Sequence, residues 1–172
     1  TIGHPHHLHH GNFAGVAQVL GSLGIERVDA ILADLGMSSM QVDDPSRGFS
    51  YSRDGALDMR MDRTRGVTAA RLLAEIKQEE LADALHRYGD ERLGDRAAIV
   101  EARGKEAITR TAQLARIIQE ASRQTGWRLH PRPGKWNLHP AARTFQALRI
   151  LLNRELANLE NLLRVGPELL NP

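Results

Sequence analysis

The sequence predicts an α/β fold, and three observations predict it. Val28, Ala30, Ile31, Leu32 and Ala33 form a nearly unbroken apolar run of strand length, as expected for a central strand of a parallel sheet covered on both faces. Helical spacing flanks that run, at Val16, Val19, Leu20 and Leu23 before it and again near the C-terminus. Between the two lies a long stretch, from Thr68 to about Ser122, whose apolar residues recur only at helical intervals.

At 172 residues and 41% hydrophobic, the chain can bury one core, and 26% charged residues is ordinary for a soluble globular protein. There is no cysteine, which excludes disulfides, thiolate metal sites and cysteine nucleophiles. No apolar run reaches the length of a membrane span, and no basic-then-apolar leader opens the chain, so an intracellular, cytoplasmic, soluble protein without a membrane partner is expected. Residues 1–102 carry 11 Lys/Arg against 16 Asp/Glu, a balance of −5, whereas residues 103–172 carry 12 against 5, a balance of +7. The basic half suits a polyanion surface, although a solvated helix face has the same composition.

Taken in order, the chain begins with His4, His6, His7, His9 and His10. Imidazoles this close on an irregular segment rarely converge on one ion without a carboxylate or a rigid frame, so no metal site is expected. Phe13 precedes a short helix that ends at Gly24 and leads into the strand over 28–34. The apolar run stops at Asp34, and Gly36, Ser38, Ser39 and Gln41 follow as a polar turn. In open α/β sheets that carboxyl end of a strand is where ligands bind; a turn-closing aspartate is the other reading of Asp34.

From Asp43 to Arg65 the sequence is dense in charges and punctuated by Pro45, Gly48, Gly55 and Gly66, which forbid a long helix. Leu57, Met59, Met61 and Phe49 interleave with the charges and argue for an ordered loop, either functional or simply salt-bridged. Thr68 and Thr111 are placed to cap helices, and Gly89 to stop one. Gly126 to Pro140 mixes Arg128, Arg132 and Lys135 with Trp127 and Trp136, which suits phosphates and stacked bases or a loop pinned to a helical bundle. The last helix, about 141–164, carries Phe145, Leu148, Leu152, Leu156, Leu159 and Leu163 on one stripe and is expected to turn that stripe to the sheet. A neighbouring stripe holds Arg143, Gln146, Arg149 and Asn153, with His139 just ahead of the helix. These planar groups can make paired contacts to phosphates or base edges.

Several of these segments together resemble one family. Asp34-Leu-Gly-Met-Ser-Ser-Met-Gln-Val-Asp-Asp, Arg47-Gly-Phe-Ser, Asp54-Gly-Ala-Leu-Asp-Met-Arg-Met-Asp and His139-Pro-Ala-Ala-Arg-Thr-Phe-Gln-Ala-Leu-Arg-Ile occur in the order of the RsmH (MraW) family. Its members are S-adenosylmethionine-dependent methyltransferases that modify the N4 of a cytosine in small-subunit ribosomal RNA. The resemblance runs from about His10 to Pro172. Met40 departs from it, standing where the family commonly has proline.

The resemblance implies part of a Rossmann-like class I methyltransferase sheet with an inserted all-α substrate-binding domain. Residues 1–45 would be partial core with the strand at 28–34, residues 46–138 the inserted lid loop and helical domain, and residues 139–172 the return helix. Against the family the chain looks like a fragment lacking the first cofactor loop and the last strands, so a non-catalytic RNA-binding remnant is the alternative to an enzyme. S-adenosyl-L-methionine is the implied cofactor, contacted by Phe13, Asp34 and Gln41, with Asp34 also the one catalytic candidate. Small-subunit ribosomal RNA, alone or in the subunit, is the implied partner, and the substrate-binding candidates are Arg47, Arg60, His139, Arg143, Gln146, Arg149 and Asn153.

Overall fold

A computed structural model describes residues 6–89, 93–124 and 139–172. Every regular element among them is helical. Chain order gives α1 (Val16–Ser22), α2 (Ser39–Asp43), α3 (Ala69–Glu75), α4 (Gln78–Gly89), α5 (Leu93–Lys105), α6 (Thr111–Gln124), α7 (Ala141–Asn153) and α8 (Glu155–Val165), with 3-10 turns at Phe13–Gly15, Pro45–Arg47 and Gly166–Leu169. None of the described helices is long and apolar enough to cross a membrane. The chain divides into two compact units, one of residues 1–35 with 154–172, the other of residues 36–153.

The α/β expectation is overturned. Among the described residues there is no sheet, only isolated bridges of Val28 with Leu170 and of Ala56 with Arg110. Around Val28 the backbone bonds run to one neighbouring segment: the Val28 amide donates to the Leu169 carbonyl at 2.8 Å and the Asn171 amide to the Val28 carbonyl at 2.9 Å. A central strand needs a paired neighbour along both edges to satisfy its amides and carbonyls, and a cover on both faces. Residues 28–34 have neither, and Leu32 is 97% exposed.

The smaller unit otherwise rests on α8 and the 3-10 turns. Asn161 donates to the Ala14 carbonyl at 3.0 Å, and Arg27 to the Leu170 carbonyl at 2.8 Å. Gly24, at φ 69°, ends the segment of α1 where the spacing expected a stop.

The larger unit holds the main core. α4 packs along α7 and α5 along α6, around Leu73, Leu81, Leu85, Ile99, Leu114, Ile118, Phe145 and Leu148. Thr68 caps α3, its hydroxyl accepting from the Arg71 amide at 3.3 Å. Thr111 does something different from the expected cap: its buried hydroxyl accepts from the Gly55 amide at 2.9 Å and donates to the Arg53 carbonyl at 2.8 Å, tying the charged loop to the head of α6. Leu57 and Met59 from that loop are wholly buried. Two glycines permit the close approach: a Cβ on Gly48, which sits at φ 71°, would lie 2.3 Å from the Ala56 carbonyl oxygen, and one on Gly55 would lie 1.9 Å from that of Pro45.

The single last helix expected over 141–164 is two helices. Arg154, at φ 52°, breaks it between α7 and α8. The leucine stripe divides with it: Phe145 and Leu148 are core of the larger unit, whereas Leu156 and Leu163 on α8 are 44% and 65% exposed.

Candidate functional site

The larger unit gathers most of the candidate residues where the loop 47–61 meets α7. The loop contains an acid and a base two residues apart, Asp58 and Arg60. They pair: Nε of Arg60 lies 2.7 Å from Oδ1 of Asp58 and Nη2 lies 3.0 Å from Oδ2, a bidentate contact. The Arg60 amide adds a third bond to Oδ1 at 3.1 Å. Burial pushes the Asp58 carboxyl up, but the side-chain and amide bonds from Arg60 and the charges of Arg60 and Arg63 outweigh it, leaving the group below its ordinary value of 3.8. Arg60 is raised in turn, first by that hydrogen bond. The remaining end of its guanidinium, Nη1, donates to the Arg63 carbonyl at 2.9 Å. Both ends of the Arg60 fork are therefore engaged within the loop.

Arg47 and Asn153 hold the same turn from two directions. Nη2 of Arg47 donates to the carbonyls of Arg60 and Met61 at 2.8 and 2.9 Å, and its guanidinium carbon lies 5.7 Å from the centre of the buried Phe49 ring. Nδ2 of Asn153, the last residue of α7, donates to the carbonyls of Met59 and Arg149, each at 2.9 Å, while its Oδ1 accepts from the Met61 amide at 2.8 Å. Between these clamps Met59 adopts φ 59°, a left-handed conformation unusual for a residue with a side chain.

Along α7, Arg143 and Gln146 are exposed and Arg149 and Asn153 half-buried. Gln146 makes a long 3.4 Å bond to the Tyr88 carbonyl. His139 precedes the helix, stacked on Tyr51 with ring centres 4.7 Å apart, and its Nδ1 accepts from the Ala141 amide at 3.2 Å. Burial lowers its pKa from the ordinary 6.5.

The cofactor candidates are dispersed differently. Phe13 and Asp34 belong to the smaller unit, Gln41 to the larger. Phe13 is 37% exposed and Asp34 is exposed. Gln41 completes a capping box at α2, its Oε1 accepting from the Ser38 amide at 2.9 Å and its own amide donating to the Ser38 hydroxyl at 3.4 Å. The basic and indole residues of 126–138 lie outside the described residues.

A sequence profile described as the MraW methylase family matches residues 2–172. The chain belongs to that family. Proteins named ribosomal RNA small subunit methyltransferase H are among its relatives: that of Acinetobacter baumannii is 44% identical over 166 residues, covering 95% of this chain and 50% of the relative. That of Nitrosomonas europaea is 46% identical over 164 residues, with coverage of 94% and 50%. That of Thiobacillus denitrificans is 48% identical over 158 residues, with 91% and 48%. The chain thus spans about half the length of these relatives.

In this member of the MraW methylase family, Phe13 and Asp34 offer a ring face and a carboxylate, groups that suit an adenine and a ribose. They do not form a cofactor cradle by themselves, because both stand exposed. Residue-by-residue reading of the sequence missed Tyr51 as the stacking partner of His139 and Asp58 as the anchor of Arg60. The second had a signal, an acid and an arginine at i and i+2 amid residues that pack down; the first had none.

Proposed function

We propose that this chain serves the activity for which its relatives are named, methylation of small-subunit ribosomal RNA, with S-adenosyl-L-methionine as methyl donor and the N4 amino group of a cytosine as acceptor. The observation that carries the proposal is the family match along residues 2–172. The donor, when bound, supplies an electrophilic methyl group. The acceptor nitrogen is a poor nucleophile because its lone pair is delocalised into the ring, so the protein must hold the amine in line and accept its proton as the bond forms. Asp34 is the catalytic candidate, with no residue assigned as proton acceptor, and Phe13, Asp34 and Gln41 are the proposed cofactor contacts. The basic balance of residues 103–172 supports a polyanionic partner.

On the RNA side, the exposed Arg143 and Gln146 and the half-buried Arg149 of α7 are proposed to meet the substrate directly, with His139 just ahead of the helix. Arg47, Arg60 and Asn153 are proposed to serve substrate binding through the loop they fix. The test is a graft of these 172 residues into the Nitrosomonas europaea relative, half of which they cover. Incubated with methyl-labelled S-adenosylmethionine and small ribosomal subunits lacking the modification, the graft is expected to label the RNA. A folded graft that binds the RNA and transfers no label would favour a non-catalytic RNA-binding role.

A further inference from the structure

His139 is held more firmly than a surface histidine needs to be. Its ring lies parallel to that of Tyr51, at 12° between planes, and Tyr51 in turn stands edge-on to the buried Phe145, with centres 6.0 Å apart. The stack therefore ties His139 to the core through an aromatic chain. The second constraint is the Ala141 amide, donating to Nδ1. A ring nitrogen that accepts an N–H cannot carry a proton, so the imidazole proton resides on Nε2. The site also disfavours an imidazolium on electrostatic grounds, since His139 sits at the amide end of α7, where the helix presents partial positive charge.

We propose that Tyr51 is a positioning residue that fixes His139 as a neutral Nε2–H donor, so that His139 gives the substrate RNA an uncharged hydrogen bond and serves neither as a base nor as a phosphate-neutralising cation. An uncharged donor displaces no counterion, so its contact leaves the salt dependence of binding unchanged whichever substrate oxygen accepts it. The inference rests on the reading that the outward face of α7 meets RNA, but Tyr51's part in it is read without RNA.

The experiment is long-range proton–nitrogen correlation on the full chain labelled with 15N-histidine, the His139 signals being assigned by their loss in His139→Gln. At neutral pH the expected signature is an unprotonated Nδ1 and a protonated Nε2. Tyr51→Phe, which keeps the ring, is expected to retain it, and Tyr51→Ala to move it towards the mixed tautomers of a solvated histidine. Tyr51→Leu fills the volume without a stack and takes the place of Tyr51→Ala if that variant does not fold. An imidazolium or the opposite tautomer in the wild type overturns the proposal, as does an unaltered signature in the folded Leu or Ala variant. In a salt series of binding to small-subunit RNA, His139→Ala is expected to weaken binding with an unchanged slope; a slope lower by about one would make His139 a cationic phosphate contact and overturn the neutral-donor role. Unaltered affinity with the signature intact would overturn the donor role while leaving the positioning by Tyr51 in place.

Discussion

The side-chain amide of Asn153 donates to the backbone carbonyl of Met59 at 2.9 Å, joining the end of α7 to a loop residue 94 positions earlier in the sequence. Its carbonyl oxygen closes the other side of the same turn on the Met61 amide at 2.8 Å. Asn153 thus supplies both halves of what a neighbouring strand would give the loop, at the point where Met59 takes a backbone conformation that few side-chain-bearing residues adopt.

Asn153→Ala is therefore expected to leave a half-buried carbonyl and amide without their partner and to destabilise the fold by about 2 kcal/mol. Urea unfolding measures it. A loss within about 0.5 kcal/mol, the range of an ordinary surface substitution, would mean that water replaces the side chain without cost.

At Met59 the usual order of alanine and glycine should reverse. Both substitutions remove a wholly buried side chain, at a cost of about 2–5 kcal/mol. The left-handed backbone, however, penalises any Cβ by roughly 1–2 kcal/mol and glycine not at all. Met59→Gly is expected to be at least as stable as Met59→Ala in parallel thermal melts. A clearly less stable glycine variant would show that the loop relaxes out of φ 59° once the methionine is gone.

Helix positions and the stop at Gly24 were legible in the sequence because capping and apolar spacing act locally. The strand at 28–34 was misread because an apolar run records that a segment prefers burial and says nothing of whether paired neighbours lie along its edges. The break at Arg154 was invisible: the leucine spacing continues through it, with neither glycine nor proline to mark the turn. Within the site, residue type placed Arg47, Arg60 and Asn153 together with Arg143 and Arg149, because a side chain able to grip a ligand is equally able to grip the backbone. Which of the two it grips depends on contacts far apart in sequence, such as Asn153 with Met59.

The Asp58–Arg60 pair should mark the acid limb of stability. The folded-state carboxyl lies below its ordinary value of 3.8, so the unfolded chain takes up a proton first as pH falls. The pair's contribution is then fully present above that value and is lost as pH drops through the lower folded one. Wild-type stability, followed by urea unfolding between neutral pH and about pH 2, is expected to fall more steeply over this window than that of Asp58→Asn. Parallel curves would mean that the pair contributes equally in both protonation states.

Arg143 and Arg60 should separate cleanly in RNA binding. Arg143 is exposed on α7, whereas the Arg60 side chain is only 20% exposed against Asp58. Neutralising Arg143 is expected to lower the slope of log affinity against log salt by about one, as a lost phosphate contact does, and Gln146→Ala to weaken binding without altering it. Arg60→Ala is expected to reduce stability and leave the slope unchanged. A lower slope for Arg60→Ala in a filter-binding salt series would place its guanidinium on a phosphate.

The central claim, methyl transfer to a cytosine amino nitrogen of small-subunit RNA, is tested most directly by nucleoside mass spectrometry of that RNA after reaction with the graft described above. The expected product is N4-methylcytidine at a single position, lost in Asp34→Ala while the graft stays folded. Methylation at a carbon or ring nitrogen, or an unmodified RNA recovered from a folded graft that binds it, would contradict the claim.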